Sequence, residues 1–366
     1  MMAACLLCVA LVANIGYVSW LRTESQRCAQ SAALAAARNM ISDDLLRYHR
    51  TGFEVEGQKL AAAGAAMQVA KEYAKRTSVP AIAENDVRVS FGHVDTQARW
   101  SGYLPTSVEV SSSSAAEPGS GDLLMVGSGA SRRVAVASKA KVSMRNDVCG
   151  FLPTVTNPVP WLPIALPDHA TQPVRGCWSF EVEQGHGSDL WTWNNVAQTP
   201  DSIPDRIPEF EVRMGGAVPG AGTGLLVSLA APAINRNAIG RQITSGFTVA
   251  DQQSIGEQKT AFPRNAWAAE MGAEESMVIA TGLKQLVGSR RIFPLYDLSE
   301  TGSNDDGSIR LTRLVAGRIL AVDAVSDGGW TLTIQPSAIS TPTILTTEQG
   351  ICDPSNPYIW KICLMK

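Results

Sequence analysis

The chain opens on an apolar run, "MMAACLLCVALVANIGYVSW", that contains no charged residue. A helix of this length rises about 30 Å, the thickness of a bilayer's hydrocarbon core. The run predicts a transmembrane anchor over residues 1–21. Two rivals stand beside it: a cleaved signal peptide, which needs a basic n-region absent here, and a buried core helix. Small residues at helical spacing follow. Ala29, Ala32, Ala33, Ala36, Ala37 and Met40 recur at i, i+3, i+4, i+7, i+8 and i+11, one face of an α-helix. Small side chains let helix backbones approach closely. Alanine is also the best helix former, so the stripe reads either as a packing face or as propensity alone. After a break at Gly52 a second stripe appears: Leu60, Ala63, Gly64, Met67, Ala70 and Ala74. The first stripe's partner is then either another protein or this second helix, in an antiparallel pair.

From residue 86 the period drops to 2. "DVRVSFGHV", "SVEVS" and "RRVAVASKAKVSMR" read as strands, and "SSSSAAEPGSGD" as a low-complexity loop. The five prolines of "CGFLPTVTNPVPWLPIALPDHA" argue against a central strand or a helix over that span. Short segments then follow: "PEFEVRM", "GLLVSLAA", "RRIFPLYD", "RLTRLVAGRILAVDAV" and "WTLTIQPS" as strands, with short helices near 235–243 and 276–288. The expected organisation is an anchor at 1–21, a two-helix stalk at 22–78, a small β-rich region at 79–148 and a β-rich body at 149–366. The fold class is α+β.

Composition narrows the partners. Charged residues are 18% of the chain and the net charge is −3, so no basic excess exists to neutralise phosphates, and nucleic acid is excluded as a partner. Arg22, the first cation, lies on the C-terminal side of the apolar run. The positive-inside rule taken alone puts the body in the cytoplasm. The missing basic flank implies instead a leader upstream of Met1.

In "YVSWLRTESQRCAQSAALAAAR" the residues Arg22, Thr23, Glu24, Gln26, Ala29, Ala32, Ala33, Leu34, Ala35, Ala36 and Arg38 fit a known pattern, R-T-E-x-Q-x-A-A-D-A-A-A-L-A-A-A-R. The stretch resembles the N-terminal region of TadE/TadG-like proteins of the Tad (tight adherence, Flp-type) pilus system. Gln30 replaces the usual acid, and Cys28 and Ser31 replace alanines. "VAKEYAKRTSV" and "DVRVSFGHVD" resemble the family's second helix and the strand after it, and "PWLPIALPDHA", "DLWTWN", "IPEFEV", "IGRQITSGF", "GSRRIFPLYD" and "RLVAGRILAV" resemble the bodies of larger TadG-like proteins of planctomycete-type bacteria. The resemblance implies a single-pass membrane protein with a periplasmic or extracellular body. It further implies a pseudopilin-like role in pilus assembly, with other pilin-like or Tad proteins met through the N-terminal helix, and no catalysis.

No motif carries chemistry strongly. The histidines are His49, His93, His169 and His186, without metalloprotease spacing. "GHGSD", with Asp168 and His169, is the best metal-like cluster, yet a glycine turn with an exposed His explains it as well. "DLSET" loosely matches part of a von Willebrand A-type metal site, and "GSNDDGS" lacks the first ligand of a calcium loop. "GGAVPGAGTG" is no P-loop, and no G-x-S-x-G elbow occurs. No metal and no cofactor are expected. Trp191 and Trp193 fall on one face of a strand, where they serve either as a stacking surface for a sugar or as core packing. The rival function is accordingly a membrane-anchored adhesin or carbohydrate-binding protein.

Export, as the resemblance implies it, favours oxidised cysteines in the body. Cys149, Cys177, Cys352 and Cys363 allow three connectivities, of which 149–177 and 352–363 close the shortest loops. Buried free thiols are the alternative.

Overall fold

The computed structural model describes residues 2–47, 52–77, 87–93, 105–114, 136–169, 171–214, 219–229, 236–256, 265–269, 273–299, 308–325, 329–346 and 356–365. Helices and strands are both abundant, a mixed α+β fold. The chain divides into two compact units. One comprises Met1–Met40, Thr51–Arg145 and Ile362–Lys366, the other Ile41–Arg50 and Asn146–Lys361.

The first unit holds α1 (Met2–Met40), α2 (Gly52–Thr77), β1 (Val87–Gly92), β2 (Ser107–Ser114) and β3 (Val136–Arg145). The strands form an antiparallel meander in which Val108 faces Val142 and Val110 faces Ala140. Alternation puts these four side chains on one face, and all are buried. α1 lies against that face: Leu21 packs on Val136, and the Ser25 and Ser138 hydroxyls lie 2.9 Å apart. α2 covers another side of α1. Tyr73 reaches Glu24, and Ala70 lies beside Cys28, so α2 runs back as α1 runs forward. The two helices are an antiparallel pair.

The row that α2 buries differs from the expected one. Leu60 is 77% exposed and Gly64 is exposed, whereas Val55, Gln58, Ala62, Ala66, Ala70 and Ala74 are buried. Four alanines spaced by four form an unbroken ridge of methyl groups. A leucine in that ridge would hold the backbones apart, so the helix turns it to solvent.

The second unit contains β4 (Val148–Phe151), β5 (Ile164–Asp168), β6 (Thr192–Asn194), β7 (Thr199–Asp201), β8 (Phe210–Met214) and β9 (Leu225–Ser228). Then come α3 (Arg236–Ser245), α4 (Val249–Ser254), β10 (Asn265–Ala268), α5 (Ala273–Lys284), β11 (Arg290–Asp297), β12 (Ser308–Ala324) and β13 (Trp330–Pro336). β14 (Ile339–Ser340), β15 (Ile344–Thr346) and β16 (Ile359–Leu364) follow, the last ending in the first unit. The main sheet runs β10-β9-β5-β11-β12-β13-β8, and β10 also pairs with β12. Five strands therefore close into a small barrel, with β13 and β8 as a flap continuing from β12. Alternation supplies two apolar faces. Ala165, Leu225, Val227, Ala266, Tyr296, Ile309 and Leu311 fill the barrel, while Ile164, Leu166, Leu226, Phe293 and Leu295 belong to the larger core outside it.

The proline-rich span contains a central strand, contrary to expectation. β5 is buried along its whole length, Pro167 included. β9 pairs only with Ile164 and Ala165, so by Pro167 the side that would need its missing N–H has no strand. The expected disulfides are also corrected. Cys177 and Cys363 are free thiols, which removes both 149–177 and 352–363. Cys149 is disulfide-bonded, and its partner lies outside the described residues, as Cys352 does. Cys177 is enclosed in the core, and burial pushes its thiol up to about 12.

Among the described residues no helix is long and apolar enough to cross a membrane. The side chains of Met1–Ala3 and Leu6, which begin the expected anchor, are outside the described set.

Candidate functional site

The residues of the quoted N-terminal motif occupy one stretch of α1, and most of them meet the rest of their own unit. Glu24 is nearly enclosed; it accepts a hydrogen bond from the Tyr73 hydroxyl at 2.7 Å and pairs with Arg27 at 2.8 Å. Burial and the facing carboxylate raise the Tyr73 phenol to about 12, which keeps it a donor. Gln26 donates to the Lys139 carbonyl at 3.0 Å. Ser138 donates to the Ser25 carbonyl at 2.9 Å, and its oxygen lies 2.8 Å from that of Ser112. Thr23 caps the Ser19 carbonyl within the helix. These polar ties fix the rotation of α1 about its axis.

That rotation decides where the alanines go. Glu24 and Cys28 face α2, and Ala32 and Ala36 continue their row one turn at a time. Ser25 faces the sheet, and Ala29, Ala33 and Ala37 continue its row. All five alanines are at most 1% exposed. Both rows are small because α1 is covered on two sides, by α2 and by β2 and β3. The stripe's occupant is thus the chain's own unit. The remaining half of α1 is different: Leu7, Val9, Leu11, Val12 and Ile15 are all between 56% and 69% exposed.

The tryptophans do not form a paired stacking surface. Trp193 is 8% exposed, Gly288 packs against its ring, and the Arg318 guanidinium sits 4.9 Å from the ring centre. Trp191 is half-buried, and its carbonyl accepts from Gln335 at 3.0 Å.

Two polar centres in the second unit escaped the sequence reading. In the first, Asp168 accepts from the Ser179 backbone N–H at 3.1 Å, from its hydroxyl, and from Arg313 at 3.2 and 3.3 Å. Arg313 also grips Glu183 through two bonds of 2.6 and 2.8 Å, and Tyr358 donates to Glu183 while accepting from Trp178. Hydrogen-bonded and paired to Glu183, the Arg313 guanidinium is held above its ordinary range despite burial. No histidine reaches Ser179 among the described residues. The arrangement ties β5, the short helical turn Ser179–Glu183 and β12 together by charge. Its members are up to 190 positions apart in the chain (358 − 168), and no local pattern announces them.

In the second centre, Glu209 is 5% exposed and accepts from the Leu190 and Trp191 N–H groups at 2.8 and 2.9 Å. Burial pushes its carboxyl up to about 7, against the pull of those two donors. A carboxyl raised in the folded state stabilises the fold below its unfolded value, and that contribution is lost as pH rises towards 7. We expect Glu209 to titrate near neutrality in a carbon-13 carboxyl NMR titration, and stability to decline over the same window. A midpoint at an ordinary carboxylate value contradicts this.

The metal-like stretches do not converge. His186 stacks on Phe180, His169 accepts from the Gln172 N–H, and Asp189 accepts from the Asp205 and Arg206 N–H groups. Asp297 is taken up by the backbone and hydroxyl of Ser299. Among the described residues no group of His, Cys, Asp or Glu is placed to hold a metal ion. "GSNDDGS", apart from its last residue, and part of "GGAVPGAGTG" lie outside the described residues. Comparison with protein-family models, with curated proteins and with solved structures finds no match to this chain.

Proposed function

We propose that the chain is a membrane-anchored, pseudopilin-like structural component of a Tad/Flp-type pilus or a related surface apparatus, with its body outside the cytoplasm. The observation that carries this reading is the division of α1. It is one continuous helix of 39 residues. Its second half is locked into the first unit by small residues and the motif's polar ties. Its first half is uncharged up to Arg22 and exposes a run of large apolar side chains. Such a patch on a monomer in water is unfavourable, at about 25 cal/mol per Å², and a bilayer removes the cost. The bonded Cys149 supports an oxidising compartment.

The proposed partner surface is not the alanine stripe. Ala29, Ala32, Ala33, Ala36 and Ala37 are used within the chain, so fibre partners meet the apolar half of α1 instead. The enclosed Trp193 gives the carbohydrate-binding reading no support. Cys5 and Cys8 are exposed free thiols on the apolar half and serve as native reporters. In intact membranes a membrane-impermeant maleimide is expected to leave both unlabelled until detergent is added. Equal labelling before and after detergent sinks the proposal.

A further inference from the structure

One carboxylate in the second unit is bound as a ligand would be. Asp43 lies in the short turn Asp43–Leu46, far in sequence from everything that holds it. Arg290 and Arg318 donate to its Oδ2 at 2.7 and 3.1 Å. The Ser337 hydroxyl and the Ala338 N–H donate to its Oδ1 at 2.7 and 2.8 Å. Each oxygen therefore receives two donors, the pattern a planar carboxylate satisfies and a tetrahedral oxyanion does not use fully.

The donors also have contacts of their own. Arg290 and Arg318 are direct cross-strand partners on β11 and β12, and like charges so placed repel one another. Arg318 is further held by the Gly288 carbonyl at 3.2 Å and by the Trp193 ring. Ser337 is fixed through its backbone N–H on the Ala316 carbonyl. The sheet thus maintains two neighbouring cations whose repulsion an anion between them relieves. Asp43 is 23% exposed at its side chain, so the position is open to solvent.

We propose that Arg290, Arg318, Ser337 and the Ala338 N–H form a built carboxylate-binding site, filled in cis by Asp43 and open to a free carboxylate once the Asp43 side chain is removed. The test uses the full chain with Asp43→Ala, its thermal unfolding followed as sodium formate is added at constant ionic strength against chloride. Formate is expected to raise Tm saturably by about 2 to 4 °C. The rise is absent in the wild type, whose site is filled, and in Asp43→Ala combined with Arg290→Gln. If Asp43→Ala does not fold in chloride, the readout becomes recovery of the folded circular-dichroism signal in formate. Equal behaviour in formate and chloride overturns the site. Inorganic phosphate matching or exceeding formate overturns its assignment to carboxylates.

Discussion

Asp168→Ala is expected to cost the second unit about 3 kcal/mol, the scale for removing one partner of an enclosed ion pair. The carboxylate is 5% exposed at its side chain and takes four hydrogen bonds from Ser179 and Arg313. Its loss strands the Ser179 N–H and leaves part of a guanidinium charge without its partner. Glu183 keeps its own two bonds to Arg313, which holds the loss below that of a fully orphaned charge. Asp168→Asn, which retains shape and one acceptor, should cost less. Denaturant unfolding is the measurement: the midpoint should fall with the slope unchanged. A loss below about 1 kcal/mol, the level of an exposed pair, contradicts the role assigned to this centre.

Ala33→Leu is expected to destabilise the first unit by about 1 to 3 kcal/mol, because three extra carbons have no room in a packed helix face. Ala33 is 0% exposed and lies in the row that faces the sheet. Ala35→Leu is the control. Position 35 is only half-buried, and leucine is nearly as good a helix former as alanine. If the stripe were propensity alone, the two variants would behave alike. Packing predicts that only Ala33→Leu accelerates hydrogen exchange, by roughly 5- to 150-fold in peptides of α1 and α2. Equal exchange in both variants removes the packing account of the alanines.

Parts of this fold were legible because they repeat locally. The alanines of α1 mark a buried helical face by spacing alone, and the alternation in "DVRVSFGHV" and "SVEVS" marks β1 and β2. The face of α2 was misread because two small-residue rows share Ala70 and Ala74. Only contact with α1 chooses between them, and it rejects the row containing Leu60. β5 was hidden by Pro167, whose tolerance depends on where a neighbouring strand stops. The polar centres were illegible for a different reason. Asp43 meets Arg290, and Asp168 meets Arg313, across separations that no spacing rule spans. Cys149 illustrates the same limit: short loops favoured Cys177, yet Cys177 is walled into the core as a thiol.

The proposed function places the apolar half of α1 in a membrane, while its other half packs against α2, β2 and β3 within the first unit. Alkaline carbonate extraction of membranes from cells expressing the full chain tests this most directly. The protein is expected to stay in the membrane pellet and to enter solution only with detergent. Quantitative release into the carbonate supernatant would contradict it.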